Sequence, residues 1–239
     1  EKLLSWRGHL YNWYDISTLS AIGEPFVSSV DSGNFVTALV AFCEGLREYA
    51  SQEPRLLSDI ALYEKFISRA DFTALYCEAK RLFYIGYNAK NGTYGSSYYD
   101  TFMSEFRTTQ YYATAAGFVP PESFFSLSRL AIGGGGRLGF ASWSGTTFEY
   151  FMPALLLPHK KGSLSRTALE YAFATQAGST VSKQAGGRIR RVFGISESGY
   201  YNFDSHMNYQ YRAFGLEKLA LDPACENGAC VSPYSSFLM

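Results

Sequence analysis

The stretch "DSGNFVTALVAFCEGLREYA", residues 31 to 50, decides the fold class. Phe35, Val36, Leu39, Val40, Cys43 and Leu46 recur at intervals of three and four, which gathers them on one side of an α-helix. Asp31 or Ser32 stands where an N-cap is expected, because a short polar side chain there accepts from backbone N–H groups that the helix leaves unpaired. A helix with such a stripe needs apolar partners. Residues 55 to 79 supply one through Leu56, Ile60, Leu62, Phe66 and Ile67, with "DFTALY" opening a further turn. From Ser97 to Ala116 a third helix is expected, with Phe102, Phe106, Ala113 and Ala116 on its apolar face, and the prolines of "GFVPPESFF" stop it.

Farther out, "TTFEYFMPALLL" and "SLSRTALEYAFATQAG" read as helices, "MNYQYRAFGLEKLALDP" as a helix start, and the terminal "VSPYSSFLM" as a final helix or tail. Residues 80 to 100, "KRLFYIGYNAKNGTYGSSYYD", alternate and then turn at Asn-Gly, the mark of a short hairpin. "LAIGGGGRLGFASWSG" reads as a Gly-rich loop and strand, and residues 178 to 191 as a polar, flexible connection. The expectation is a mainly α chain with short β-hairpins in its loops and no repeat of solenoid period.

A chain of 239 residues suits one domain with a sizeable core. Lys plus Arg and Asp plus Glu both total 21, so no charge bias points to nucleic acid or anionic lipid, and no nucleic-acid partner is expected. No run approaches the roughly 18 apolar residues that cross a bilayer, and the N-terminus lacks a signal-peptide layout, so a soluble chain is expected. Cys43 and Cys77 read as buried small hydrophobes. Cys225 and Cys230 in "CENGAC" can close a local disulfide or give half a metal site, but no second Cys or His pair has the matching spacing, and free thiols in a reducing compartment are the preferred reading. His9, His159 and His206 are scattered, and neither metal nor cofactor is expected.

"GGGG" at 133 to 136 lacks the Lys-Ser/Thr of a phosphate loop, and neither Ser144 nor Ser196 sits in a nucleophile elbow. The aromatic count is different: 19 Tyr, 19 Phe and 3 Trp, with many Tyr beside Gly, Asn, Ser or Asp. A tyrosine in such a setting can wall a sugar site, its ring against C–H faces and its hydroxyl bonded to sugar hydroxyls. Three carboxylates lie among aromatics with few cations nearby: Glu105 in "SSYYDTFMSEFR", Glu149 in "SWSGTTFEYFMP" and Glu197 in "FGISESGYY". Such surroundings raise a carboxyl pKa, as a general acid at neutral pH requires. On the expected helix, Glu105 falls beside Tyr98 and Phe102 and faces inward. For each of the three, a helix-capping or hydrogen-bonded structural acid is at least as good a reading from pattern alone. Two carboxylates in an aromatic cleft would suit glycoside chemistry.

Taken in order, "GHLYNWYD" (8 to 15), "FVSSVDSGNFVTALVAFCEGL" (26 to 46), "LFYIGYN" (82 to 88), "SYYDTFMSEFR" (97 to 107), "SWSGTTFEYFMP" (142 to 153), "GISESGYY" (194 to 201), "NYQYRAFG" (208 to 215) and "VSPYSSFLM" (231 to 239) resemble the glycoamylase-like domain, in the form found at the centre of cyclic β-1,2-glucan synthases. The resemblance spans nearly all of residues 1–239, as a single domain. It implies an (α/α) toroid of helical hairpins, and since a complete six-hairpin toroid with its loops is expected to exceed 239 residues, a fragment of a larger protein is expected.

The implied activity is retaining transglycosylation that cyclises β-1,2-glucan, with hydrolysis or glucan binding without catalysis as alternatives. Carried over by motif, the "GISES" glutamate, Glu197, is the nucleophile and Glu105 the acid/base. Glu149 becomes a substrate-binding or pKa-tuning neighbour, and Asp31, Tyr98, Trp143, Tyr200, Tyr209, Tyr211 and Arg212 further glucan contacts. The implied partners are β-1,2-glucan or a related glucose oligosaccharide and the other domains of a larger synthase. The implied location is the cytoplasmic side of a bacterial inner-membrane protein. One departure is "GGRIRRVF" before "GIS", where the family pattern leads one to expect a short "GVPW"-like approach.

Overall fold

A computed structural model of the chain describes residues 2–179, 181–185, 188–222 and 230–239, with the backbone alone over 181–185 and 188–191. The chain forms two compact units, Glu1–Asp100 with Phe106–Leu127, and Thr101–Glu105 with Ser128–Met239. Helices and small antiparallel sheets make up both.

In the first unit the periodic stretch forms α1, Ser29–Tyr49, and the next forms α2, Leu56–Arg69. The cap of α1 is Ser28, whose side chain accepts from the Asp31 N–H, so Asp31 lies in the first turn and not at the cap. The reason is the strand Phe26–Ser28, which holds Ser28 extended against Gly86. "DFTALY" makes a 3-10 turn over Phe72–Leu75. The third helix, α3, covers only Arg107–Ala115. Its expected first half is not helical, because Tyr98–Tyr99 pairs with Leu82–Tyr84 as an edge strand, and ladder bonds and ring packing outweigh helix spacing. Glu105 therefore sits in a turn, and the placement of its side chain by helical spacing from Tyr98 does not hold.

Strand Gly86–Asn88 turns through Asn91-Gly92 onto Thr93–Tyr94, as the Asn-Gly signal requires. The short α4, Glu122–Phe125, follows the two prolines. The core of this unit is apolar and largely aromatic, built on Val36, Phe72, Leu75, Phe83, Phe106 and Ala113. Gly33 permits the close approach of α1 to α3, since a Cβ there would lie 1.8 Å from Thr109 Oγ1.

The second unit contains α5 (Thr147–Phe151), α6 (Leu164–Gly178) and α7 (Pro233–Leu238). The run of glycines is an ordered hairpin: Ala131–Gly134 pairs with Arg137–Phe140 around Gly135 and Gly136, both at positive φ. Residues Val181–Ala185 pair with Arg188–Val192, so a ladder stands where a flexible connection was expected, and it occupies the atypical approach to "GIS". Tyr211–Arg212 is a strand and Glu217–Leu219 a 3-10 turn, in place of the expected helix start. The segment Thr101–Glu105 joins this unit through single bridges, Thr101 to Ser128 and Met103 to Ser142. Phe102 packs edge-on against Phe140 and under the Arg129 guanidinium.

Cys43 is buried and Cys77 half-buried, and both are free thiols, as is Cys230. Cys225 lies outside the described residues. Among the described residues no helix is long and apolar enough to cross a membrane.

Candidate active site

The backbone at Ile195 and Glu197 is anchored from α5, α6 and α7. From α6, the fully buried Gln176 clamps the first of these: Ile195 N–H donates to Gln176 Oε1 at 2.9 Å, and Gln176 Nε2 donates to the Ile195 carbonyl at 3.0 Å. The N–H and hydroxyl of Thr147, at the start of α5, donate to that same carbonyl. The carbonyl of Glu197 itself accepts from Ser232 Oγ and Tyr234 OH, each at 3.0 Å, at the start of α7. Pairing of Ser198–Gly199 with Tyr211–Arg212 sets Tyr211 beside the acid, and its hydroxyl donates to Glu197 Oε2 at 2.6 Å. Thr146 Oγ1 lies 3.5 Å from Oε1.

Glu149 is held by different means. It is the third residue of α5, and Thr146 and Glu149 form a reciprocal capping box. Ser142 Oγ donates to Glu149 Oε2 at 2.9 Å, the Thr146 N–H donates to the same oxygen at 2.9 Å, and the Ser144 N–H reaches Oε1 at 3.0 Å. The loop can close this tightly because Gly145 adopts φ +71°, where a Cβ would meet the Leu216 carbonyl oxygen at 2.4 Å. Glu149 is 4% exposed. This burial suits the tuning role over contact with a sugar.

Glu105 and Glu197 are less buried than Glu149, being half-buried as whole residues. Ser104 Oγ donates to Glu105 Oε2 at 3.0 Å. The Glu105 pKa is pushed up to about 7, first by burial and then by the negative charge of Glu149, with a smaller contribution from Glu197. Glu197 is also raised by burial, and the hydrogen bonds from Tyr211 and Thr146 pull it back down. Burial raises Glu149 too, against the backbone N–H groups of Ser144 and Thr146. Three mutually repelling acids thus share one unit, and the one at about 7 carries a proton near neutrality while the donors around Glu197 favour its ionised form.

The other expected contacts divide between the units. Around Glu197, besides Tyr211, lie Tyr200, with the Arg212 guanidinium 3.9 Å from its ring centroid, and the exposed Tyr209, against which Gly199 packs closely. Trp143 is half-exposed beside the Glu149 loop, its carbonyl accepting from the N–H groups of Leu221 and Asp222. Asp31 and Tyr98 belong to the first unit, Asp31 in the first turn of α1 and Tyr98 in a strand with its ring against Tyr84. Sequence reading missed Thr146, whose hydroxyl lies between Glu149 and Glu197, and Ser232 and Tyr234, which hold the Glu197 backbone. The first was legible in the capping-box spacing Thr146-x-x-Glu149. The others had no local signal. Among the described residues no group of His, Cys, Asp and Glu is arranged to hold a metal ion.

The cyclic β-(1,2)-glucan synthase NdvB of Rhizobium meliloti (strain 1021) is 31% identical to the chain over 223 residues, 89% of its length. The chain is related to a cyclic β-1,2-glucan synthase. The resemblance carried by the ordered motifs is thereby borne out, although no family model matches the chain. This synthase-related chain spans 8% of the length of NdvB. Its fold is that of part of an endo-β-1,2-glucanase from Talaromyces funiculosus, solved in complex with sophorose. The two superpose with a TM-score of 0.62 over 90% of this chain and 47% of that one, at 15% identity. A mutant of that glucanase, solved with β-1,2-glucan, matches to the same extent.

Proposed function

We propose that the chain is a β-1,2-glucan-acting domain that carries out retaining transglycosylation, with Glu197 as nucleophile and Glu105 as acid/base. The observation that carries this reading is the pair of acids of unlike character in one unit, Glu105 pushed up to about 7 and Glu197 under a 2.6 Å hydrogen bond from Tyr211. A Glu197 oxygen attacks the anomeric carbon as the glycosidic C–O bond breaks, and Glu105 delivers its proton to the departing oxygen. Glu105, now a carboxylate, then takes the proton from an incoming glucan hydroxyl, whose oxygen attacks the same carbon and releases Glu197. A hydroxyl of the same chain gives a ring, and water gives hydrolysis by the same steps.

The relationship to NdvB and the fold shared with a glucanase support the substrate class. In this reading the chain contributes part of an (α/α) toroid, as one glycoamylase-like domain of a larger inner-membrane synthase. Incubation with linear β-1,2-glucan tests it: wild type forms cyclic or transferred products, and Glu197→Gln and Glu105→Gln do not. Full turnover by either variant would overturn the roles. A second reading is glucan binding without catalysis. It is upheld if glucan binds and the wild type leaves it unchanged.

A further inference from the structure

Thr146 stands between Glu149 and Glu197 and serves both. It is fully buried, and its side-chain oxygen is fixed: Oγ1 accepts from the Glu149 N–H at 3.2 Å as the cap of α5, and a β-branched side chain has little rotamer freedom. The hydroxyl proton is not fixed, because it turns about the Cβ–Oγ bond. Two carboxylate oxygens face it, Glu149 Oε2 at 3.1 Å and Glu197 Oε1 at 3.5 Å, the latter at the edge of hydrogen-bond range. One proton can serve only one of them well.

The two oxygens need that proton unequally. Glu149 Oε2 also receives Ser142 Oγ and the Thr146 N–H, each at 2.9 Å, with the Ser144 N–H at 3.3 Å, so its lone pairs are taken without the hydroxyl. Glu197 Oε2 has Tyr211, but among the described residues the Thr146 hydroxyl is the one donor within reach of Glu197 Oε1. An ionised oxygen draws a donor about twice as strongly as a neutral one, so the charge on Glu197 decides where the proton points.

We propose that Thr146 is a positioning residue whose hydroxyl proton follows the charge of Glu197. It points to Glu197 Oε1 when Glu197 is a carboxylate, and it turns back to Glu149 Oε2 when Glu197 is protonated or bonded to a sugar carbon. The O–H bond stays intact throughout, and only its direction changes. Glu149 thus gains a donor whenever Glu197 loses its charge, which couples the two acids through one hydroxyl. In the reaction proposed above, on which this consequence rests, the donor arrives as Glu197 leaves the anomeric carbon and so favours release of the glycosyl group.

Other titratable groups also face Glu197. They are the acids Glu105 and Glu149, Tyr211 with Tyr209 beside it on the hairpin, and Tyr234 with Cys230 at the start of α7. Arg212 of the same hairpin stacks on Tyr200 and donates to Gln210 Oε1.

The test is a titration of the chain without substrate, read at the carbon-13 resonance of the Glu197 carboxyl. Thr146→Val keeps the side-chain shape and removes the hydroxyl, and it should raise the Glu197 pKa by about one unit, a roughly tenfold change in the ionisation constant. Thr146→Ser keeps both hydroxyl and cap and should stay within about twofold of the parent. Loss of the cap alone lowers the thermal midpoint and leaves the Glu197 titration in place. In the parent itself, the sealed hydroxyl proton resonance should move downfield with the midpoint of Glu197, a measurement that needs no variant. An unshifted Glu197 in Thr146→Val, an equal rise in Thr146→Ser, or a hydroxyl resonance that ignores Glu197 would each overturn the proposal. None of these readings needs turnover. A wild type that leaves linear glucan unchanged therefore counts against the catalytic roles of Glu197 and Glu105, and the titration still decides the role of Thr146.

Discussion

Phe72 and Glu149 are both sealed from solvent, one in each unit, and they are held by opposite means. Phe72 is fully buried among rings, edge-on to Tyr112 and Phe118, and contributes by removal of hydrocarbon from water. Glu149 contributes by organising N–H and O–H donors that would otherwise be unpaired, at the cost of a desolvated acid. The apolar cluster around Phe72 follows the former principle, while buried Ser142, Thr146, Thr147, Gln176 and Ser196 surround the acids of the second unit; the first unit buries polar side chains as well, Thr108, Thr109 and Gln110 of α3 among them. Around the acids, buried hydrogen bonds fix direction and position, where the apolar packing around Phe72 fixes volume.

That contrast can be broken by experiment. The largest effect expected is on rate: Glu197→Gln lowers turnover of linear β-1,2-glucan by at least about 10³-fold while the far-UV spectrum is kept. Next, Phe72→Ala destabilises by about 3–5 kcal/mol, read as faster amide exchange concentrated in the first unit. Equal acceleration in both units would show that they do not differ as described.

A pH effect of smaller size follows from Glu105. Its folded pKa of about 7 exceeds the ordinary 4.5, so between those values the folded state binds more protons than the unfolded. Its contribution to stability is complete below pH 4.5 and is lost as pH rises through about 7, a change of roughly 3 kcal/mol at most. Denaturant midpoints measured across that range should fall with pH in wild type and less in Glu105→Gln. The rate should fall above pH 7 as Glu105 gives up its proton.

Glu149→Gln should behave in the opposite sense to Glu105→Gln. It sets an amide N–H₂ against donors, destabilises by about 1–3 kcal/mol, and moves the basic limb of the rate profile to lower pH by removing a charge that raises Glu105. The smallest effect is that of Tyr211→Phe. Removing the donor lets the Glu197 pKa climb, and the acidic limb should move up by about one unit.

The sequence by itself determined α1 and α2, the hairpin at Asn91-Gly92 and the helices α5 to α7, because their signals are local: apolar spacing, turn chemistry and caps act within a few residues. It also singled out Glu105, Glu149 and Glu197 and, through motif order, the relationship to a glucan synthase. It could not separate a sealed capping acid from two half-buried ones, since burial depends on what packs from afar. Tertiary structure alone decided that residues 98 and 99 pair as strand and that Gln176, Ser232 and Tyr234 converge on the backbone at Ile195 and Glu197. These contacts join residues 14 to 37 positions apart, and no periodicity in the chain records which distant donor a buried group will meet.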